Sequence, residues 1–296
     1  MAKIALIGDI MLDIYYYTAN RNNPESSAPA HIVSKNDIRY LPGGAGNVAA
    51  NFSSLNSDFS LISLIGKDSY AGILIDSFNS SHISYDLIFD SNINTIVKSR
   101  IIDKFDKHYH CRLDIEDKIA TTSNHINEII SKVRDADLIV ISDYNKGVVN
   151  EDLMIRLRKL NIPIIVDPKP EHKDLYKNVF LIKPNSDEAR RMIGIDDDLK
   201  AGEYLMKTLN ANILLSRSEK GMSFFGLLGD RFNFPAQPNG ELKDVTGAGD
   251  SVVAAFAHFF AKRRNLEDCV RLANKAGGIA VCHSGCYHVR EAELLD

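Results

Sequence analysis

Tryptophan is absent from the 296 residues, cysteine occurs four times and proline nine, and no apolar run approaches the length of a membrane span. So few cysteines exclude a disulfide-stapled scaffold. Neither sign of charge dominates: 35 Lys and Arg against 39 Asp and Glu give a net charge of −4. That balance supplies no basic field for nucleic acid and no acidic tail of the disordered kind. The pattern Gly-x-x-x-x-Gly-Lys-Ser/Thr is missing, which argues against a P-loop nucleotide site. Internal repeats, low-complexity tracts and an interdomain linker are missing as well. The first apolar run breaks at Gly8-Asp9, too early for a signal peptide. The expectation is a cytoplasmic protein with small-molecule partners, without nucleic acid or membrane.

What is present is a hydrophobic content of 45%, enough for a substantial core in a single domain over residues 1–296. Short runs rich in Leu, Ile and Val recur at 3–7, 61–65, 138–142, 162–167, 179–183 and 212–216. Such runs suit strands buried on both faces, and helical stretches lie between them. The predicted fold is α/β, a three-layer α/β/α sandwich around a mostly parallel central sheet. Polar residues close these runs: Asp9, Asp143, Asp167, Asn185 and Ser216. Each alone is an ordinary turn former. Together they mark the carboxyl edge of an open α/β sheet, where ligands bind.

Two segments break the rhythm, residues 14–40 and 95–117. The second alternates, as in Thr95-Ile96-Val97-Lys98-Ser99-Arg100-Ile101-Ile102-Asp103 and Tyr109-His110-Cys111-Arg112-Leu113-Asp114, the pattern of antiparallel strands with one solvated face. Together the segments are expected to form a small β-sheet lid. Its apolar face needs cover from the site mouth or a second subunit, so a homodimer through the lid is expected.

Asp244-Val245-Thr246-Gly247-Ala248-Gly249-Asp250 precedes the largely apolar residues 251–261, which Lys262-Arg263-Arg264 follow. This reads as a buried helix with its positive dipole end at residues 247–250 and basic residues at its negative end. Glycines there admit a phosphate to the unpaired backbone N–H groups. Asp250, in the first turn, is placed to accept a proton from an attacking hydroxyl. An ordinary capped turn has the same residues, so the rest of the chain has to decide.

Gly44-Ala45-Gly46-Asn47-Val48-Ala49 matches the dinucleotide fingerprint Gly-x-Gly-x-x-Ala, but Arg39-Tyr40-Leu41-Pro42 precedes it instead of a buried strand. Residues 43–47 read better as a close backbone approach to a polyol, with Asn47 offering donor and acceptor, or as a helix start. Asp13 is either a carboxylate for paired hydroxyls or a surface turn residue. Asn185 and Glu188 form a capping box, and the same pair suits ordering magnesium and its waters. Cys282-His283-Ser284-Gly285-Cys286, with His288, holds soft ligands for zinc. No second Cys pair completes a structural set, which favours a small-residue turn after a helix.

Residues 244–257 resemble the C-terminal signature of the ribokinase-like (PfkB-type) carbohydrate kinases, Asp-x-x-Gly-Ala-Gly-Asp followed by small and apolar positions. Gly43-Gly44-Ala45-Gly46-Asn47-Val48-Ala49 through Gly66 resembles the N-terminal signature, with Asn56 where Gly or Ser is usual. The resemblance covers essentially the whole chain and implies a kinase using ATP and Mg2+, with K+ as a possible monovalent cation near the Asp244 loop. The Cys- and His-bearing tail departs from the small residues expected beside that loop. The resemblance further implies Asp250 as the base, with Gly247, Ala248 and Gly249 holding the transferring phosphoryl group. Asn185 and Glu188 would hold magnesium through water. Ser216, Arg217, Gly221, Thr246 and Asn274 would line the nucleotide, and Asp13, Gly44, Asn47 and Asp143 the sugar hydroxyls.

Within the family, Gly8-Asp9-Ile10-Met11-Leu12-Asp13, Leu41-Pro42-Gly43-Gly44-Ala45, Ser142-Asp143-Tyr144-Asn145-Lys146-Gly147, Asp167-Pro168-Lys169 and Ser216-Arg217-Ser218-Glu219-Lys220-Gly221-Met222 are similar to the branch acting on D-glycero-D-manno-heptose 7-phosphate. That branch phosphorylates the anomeric hydroxyl, for ADP-heptose and lipopolysaccharide core synthesis. Arg21-Asn22-Asn23-Pro24-Glu25-Ser26-Ser27-Ala28-Pro29 departs from the branch's Arg-Ile-Ser-Pro-Glu-Ala-Pro-Val-Pro. Bifunctional members carry a nucleotidyltransferase domain after the kinase, which a chain ending at Asp296 is expected to lack. A phosphorylated substrate needs a cation, and Lys146, Lys169, Arg100 and Arg112 are the candidates. Lys169 is preferred because it directly follows a strand end. Other hexose, ribose or ketose-phosphate kinases, and a non-catalytic sugar or nucleotide sensor, are the alternatives on the same fold.

Overall fold

The computed structural model describes residues 2–21 and 30–295. The first part of the chain runs β1 Ile4–Gly8, β2 Ile10–Arg21, β3 Ala30–Ile32, β4 Ile38–Gly44, α1 Ala45–Ser54, β5 Phe59–Ile62, β6 Leu64–Gly66 and α2 Ser69–Ser80. Next come β7 Ile88–Asp90, β8 Val97–Asp103, β9 Tyr109–Ile115, α3 Ser123–Val133, β10 Leu138–Ser142, α4 Glu151–Arg158, β11 Ile164–Asp167 and β12 Leu181–Ile182. The chain ends with α5 Ser186–Ile193, α6 Asp198–Leu209, β13 Asn212–Ser216, β14 Met222–Phe225, β15 Arg231–Phe234, α7 Ala248–Ala261, α8 Leu266–Ala280 and α9 Glu291–Leu295.

The main sheet has eight strands in the order β15-β14-β13-β12-β11-β10-β1-β5. Every pairing from β13 to β5 is parallel, and β14 and β15 add an antiparallel edge. Side-chain alternation decides the layers. Ile4, Leu6, Leu138 and Val140 join one apolar cluster with α1, α2, α7 and α8, whereas Ala5, Ile7, Ile139 and Ile141 join another with α3, α4, α5 and α6. Strands buried on both faces explain the uninterrupted apolar runs, and the α/β/α sandwich stands as expected. Each fully buried Leu, Ile, Val or Phe contributes about 1.5–3 kcal/mol, so these two layers hold the sheet edge rigidly. Residues 61–65 depart from expectation. The run breaks at Ser63, whose hydroxyl donates to the Gly8 carbonyl at 2.6 Å, and β6 leaves the main sheet to pair with β7.

The lid is a second sheet of order β3-β2-β8-β9, with β4 on β2. It begins earlier than expected, because β2 starts at Ile10, two residues beyond the end of β1. Residues 22–29 of the departing stretch lie outside the described residues. Register places Asp13 level with Lys98 and Leu41, and Tyr15 level with Arg100 and Arg39, so one lid face is polar. The opposite face packs at its centre on α2 and exposes Tyr40, Leu113 and Ile115 at its margins. Among the described residues, no helix is long and apolar enough to cross a membrane.

Candidate active site

Parallel strand order sets Ser216, Asn185, Asp167, Asp143 and Asp9 along one sheet edge. They do not all face open space. Asp9 is buried, and its carboxylate accepts the N–H groups of Tyr144 at 2.9 Å, Lys146 at 3.0 Å and Val148 at 3.0 Å. It thereby shapes the loop after β10. Asp143 is also turned inward, accepting from the Tyr176 hydroxyl at 2.7 Å, His172 Nδ1 at 2.7 Å and the Asn145 N–H at 2.7 Å. With its side chain 0% exposed, Asp143 braces this loop.

Gly247 caps α7 at φ 77, where a Cβ would stand 2.8 Å from Asn47 Nδ2 and 3.2 Å from Cys286 Sγ. Both the left-handed backbone and the close approach require glycine. Asp244 fastens the preceding loop, accepting from the Thr246 N–H at 2.9 Å and the Gly285 N–H at 3.0 Å. The Ala248 N–H donates to the Val245 carbonyl at 3.3 Å, so it closes a turn and is not free to hold a phosphate. The other N–H groups of the first turn, including that of Gly249, are left by the helix without intrahelical acceptors, a setting that favours an anion.

Asp250 is 7% exposed. Asn47 Nδ2 donates to its Oδ2 at 2.6 Å and the Tyr144 hydroxyl to its Oδ1 at 3.2 Å. Burial, then the Asp167 carboxylate, pushes its pKa up to about 7, against the pull of Asn47, Lys183 and Tyr144. Such a carboxylate is matched to take a proton near neutral pH. Lys183, just beyond β12, is buried with its Nζ 3.0 Å from Asp167 Oδ1 and donates to the Gly249 carbonyl at 3.3 Å. Burial alone would lower its proton affinity, but Asp167 and Glu188 outweigh it and keep the ammonium charged. Tyr144 and Lys183 were not singled out from sequence. A lysine closing an apolar strand run, where an unpaired charge is costly, was the available signal for Lys183.

Asn185 and Glu188 form the predicted capping box, through Glu188 N–H to Asn185 Oδ1 at 2.8 Å and Asn185 N–H to Glu188 Oε2 at 2.9 Å. Burial, followed by Asp167, raises the Glu188 pKa. A cation beside Glu188 would relieve that cost, so the pair fits a magnesium ion. The Ser216 hydroxyl is buried without a partner among the described residues. Arg217, by contrast, donates to Ser223 Oγ at 2.9 Å and Asn233 Oδ1 at 3.1 Å, and its Nε lies 3.5 Å from Asp198. Asn274 is buried and donates to the Pro235 carbonyl at 2.8 Å. Both therefore tie their elements to the antiparallel edge of the main sheet. Gly221 has φ 83, and a Cβ there would strike the Phe234 carbonyl oxygen at 2.1 Å.

The polar lid face carries the cations. Arg100 Nη1 donates to Asp13 Oδ1 at 2.5 Å, and a Cβ on Gly43 would lie 2.2 Å from Asp13 Oδ2. Gly44, at φ 61, caps α1 beside them. Arg112 grips Asp114, with Nε at 2.7 Å, and Lys146 Nζ lies 2.7 Å from Glu116 Oε2. These candidate cations already have carboxylates. Lys169 instead places its Nζ 4.7 Å from the ring centroid of Tyr144, which in turn holds Asp250. Lys98 was missed. It is half-buried, with its pKa lowered by burial and then by Arg112 and Lys146, and among the described residues it forms no salt bridge. Its position level with Asp13 comes from the pairing of β2 with β8, which the sequence alone does not show.

The tail motif joins the site wall. Cys282 donates to the Gly278 carbonyl at 3.3 Å, Cys286 lies against Gly247, and His288 Nε2 is 3.0 Å from Asn47 Oδ1. Among the described residues no group of three or more His, Cys, Asp or Glu is arranged to hold a metal ion.

The sequence profile described as pfkB family carbohydrate kinase matches residues 1–293. The bifunctional protein HldE of Histophilus somni (strain 129Pt) is 36% identical over 303 residues, covering 99% of this chain and 63% of that protein. Its namesake in Vibrio vulnificus (strain YJ016) is 33% identical over 307 residues, covering 100% and 63%. The chain thus spans a little under two thirds of the curated relatives' length. Phosphofructokinase-2 from Escherichia coli in complex with potassium superposes with a TM-score of 0.82 at 19% identity, covering 100% of this chain and 97% of that one. Arabidopsis thaliana ribokinase complexed with ribose and ATP gives 0.76 at 19% identity, covering 99% and 97%. These two structures share the ribokinase-like fold.

Proposed function

The chain belongs to the pfkB family of carbohydrate kinases, and on that premise we propose that it transfers the γ-phosphoryl group of ATP to the anomeric hydroxyl of D-glycero-D-manno-heptose 7-phosphate. The 1,7-bisphosphate formed would serve ADP-heptose and lipopolysaccharide core synthesis in the cytoplasm. The observation that carries the reading is Asp250, a buried carboxylate of raised proton affinity in the first turn of a helix whose N-terminus favours an anion.

Phosphoryl transfer has a loose transition state, so positioning and electrostatic stabilisation supply most of the rate. Asp250 takes the proton of the attacking hydroxyl as the new O–P bond forms and the bond from the γ-phosphorus to the bridging oxygen breaks, releasing ADP, while Asn47 and Tyr144 hold the two Asp250 oxygens in place. The N–H groups of Gly247 and Gly249 stabilise the charge on the transferring phosphoryl oxygens. Magnesium, when bound, neutralises nucleotide phosphate charge; Asn185 and Glu188 would order its waters, Glu188 through the carboxylate oxygen that the capping box leaves over. ATP would lie along Ser216, Gly221 and Thr246. A K+ ion near the Asp244 loop belongs to the same reading. Both oxygens of Asp244 accept N–H groups, so backbone carbonyls would be its donors.

Asp13 and Gly44 would bind the sugar hydroxyls, with Asn47, engaged by Asp250 and His288, shaping that end of the site. The cations without carboxylate partners, Lys169 and Lys98, suit the 7-phosphate better than the paired Arg100, Arg112 and Lys146. The motifs shared with the heptose branch support the substrate, and the exposed margin of the lid supports a homodimer. ADP release measured across heptose 7-phosphate, fructose 6-phosphate, ribose and unphosphorylated hexoses tests the reading. The highest kcat/KM is expected with heptose 7-phosphate. Preference for another sugar would overturn the substrate, and sugar binding without turnover would favour the sensor alternative.

A further inference from the structure

We propose that His288 is a positioning residue that, through Asn47, keeps Asp250 ionised and correctly held. This rests on the reading of Asp250 as the base. The Asn47 amide has two unlike ends, and it lies between two groups that demand opposite ones. Its Nδ2 donates to Asp250 Oδ2 at 2.6 Å, which leaves Oδ1 facing His288 Nε2 at 3.0 Å. An amide oxygen only accepts, so Nε2 must carry the hydrogen. The neutral Nε2–H tautomer and the imidazolium both supply that donor.

Neighbouring contacts fix this line of bonds in place. The Ser54 hydroxyl donates to the His288 carbonyl at 3.1 Å, which ties the tail to α1. On the same helix, Asn51 Nδ2 donates to the Asn47 carbonyl at 2.9 Å, and Ser251 Oγ donates to Asn51 Oδ1 at 2.9 Å, which joins α1 to α7. The amide can reverse only by turning its carbonyl toward Asp250, an arrangement that favours the protonated acid. The His288 N–H opposes the reversal, and so favours the carboxylate that accepts a proton. The tail after α8, zinc-like or a mere turn by its sequence, thus acts on the reacting group through one intervening side chain.

Removing the donor is expected to shift the acid limb of the pH profile of kcat/KM. The other titratable groups around Asp250 are Asp167 on β11, Lys183 after β12, Tyr144 after β10 and Cys286 after α8, the last two also feeling Asp13 on β2. They are common to every variant, so the comparison isolates His288. His288→Leu should move the acid limb upward by about half a unit to one unit, the scale of one lost hydrogen bond. KM for ATP should stay unchanged. His288→Gln, whose amide N–H can reach the position of Nε2, should restore the wild-type limb. Identical limbs in all three proteins, each confirmed folded by its melting transition, would overturn the proposal. Should His288→Leu not fold, His288→Ala adds no bulk and carries the same expectation.

A second measurement does not need turnover. Long-range 1H–15N spectra of the imidazoles should show His288 with its proton on Nε2. An Nδ1–H tautomer at neutral pH would overturn the contact itself. No ADP release with any sugar, alongside an Nε2–H signal, would instead overturn the reading of Asp250 as a base.

Discussion

Replacing Asp250 by Asn should make the protein more stable and much less active at once, and the size of the gain should depend on pH. The carboxylate sits buried with a pKa of about 7 against an ordinary 3.8, chiefly through desolvation and then Asp167. At 1.36 kcal/mol per unit, holding it ionised in the fold costs roughly 4 kcal/mol, a ceiling that water penetration lowers. The sign follows from proton binding. Between the two pKa values the folded state binds a proton that the unfolded state has released, so stability falls as pH rises. Below the unfolded value both states are protonated, and the cost is absent.

The carboxamide introduced by Asp250→Asn keeps the local bonding: its oxygen can accept from Asn47, and its NH2 group can donate to the Tyr144 hydroxyl. It carries no charge to desolvate. Urea unfolding of both proteins at pH 5 and pH 8 gives the difference directly, because groups common to both largely cancel. The advantage of Asp250→Asn should grow by about 2 kcal/mol from the lower to the higher pH. An advantage that is the same at both values, or a variant less stable at pH 8, would refute the reasoning that burial and Asp167 raise the Asp250 pKa.

Three further outcomes follow from the site. Lys183→Met leaves the half-buried Asp167 without its cation and should cost about 1–3 kcal/mol in urea unfolding; an unchanged midpoint would contradict the ion pair. Gly247→Ala forces a Cβ toward Asn47 at φ 77, so it should cost about 1–2 kcal/mol by melting and depress turnover further than stability alone explains. Lys98→Ala and Lys169→Ala should each raise KM for phosphorylated sugars about 10-fold or more, with unphosphorylated sugars unaffected. Equal losses for both classes would remove the phosphate role.

The architecture was legible because strands buried on both faces must be apolar throughout, and the residues closing them fell on one sheet edge as the parallel order requires. The placing of Gly247 and Asp250 at a helix start was legible for a related reason: glycines before an apolar run read as a helix N-terminus, and α7 begins at Ala248 with Gly247 as its cap. Direction of side chains was not legible. Asp143 ends its strand just as Asp167 does, yet Tyr176 and His172 turn it inward, and those partners arrive from residues far along the chain. The partners of Arg217 and Asn274 were illegible for the same reason, since Asn233 and Pro235 come from the antiparallel edge. Lys98 and His288 gain meaning only from contacts across the lid and across α1, which no local pattern encodes.

Turnover by Asp250→Asn with heptose 7-phosphate and ATP, measured alongside its affinity for ATP, bears most directly on the role of the base. ATP binding should stay close to wild type while turnover falls by about 10² or more, the loss of a positioned base. ADP release at a near-wild-type rate from this variant would contradict that role.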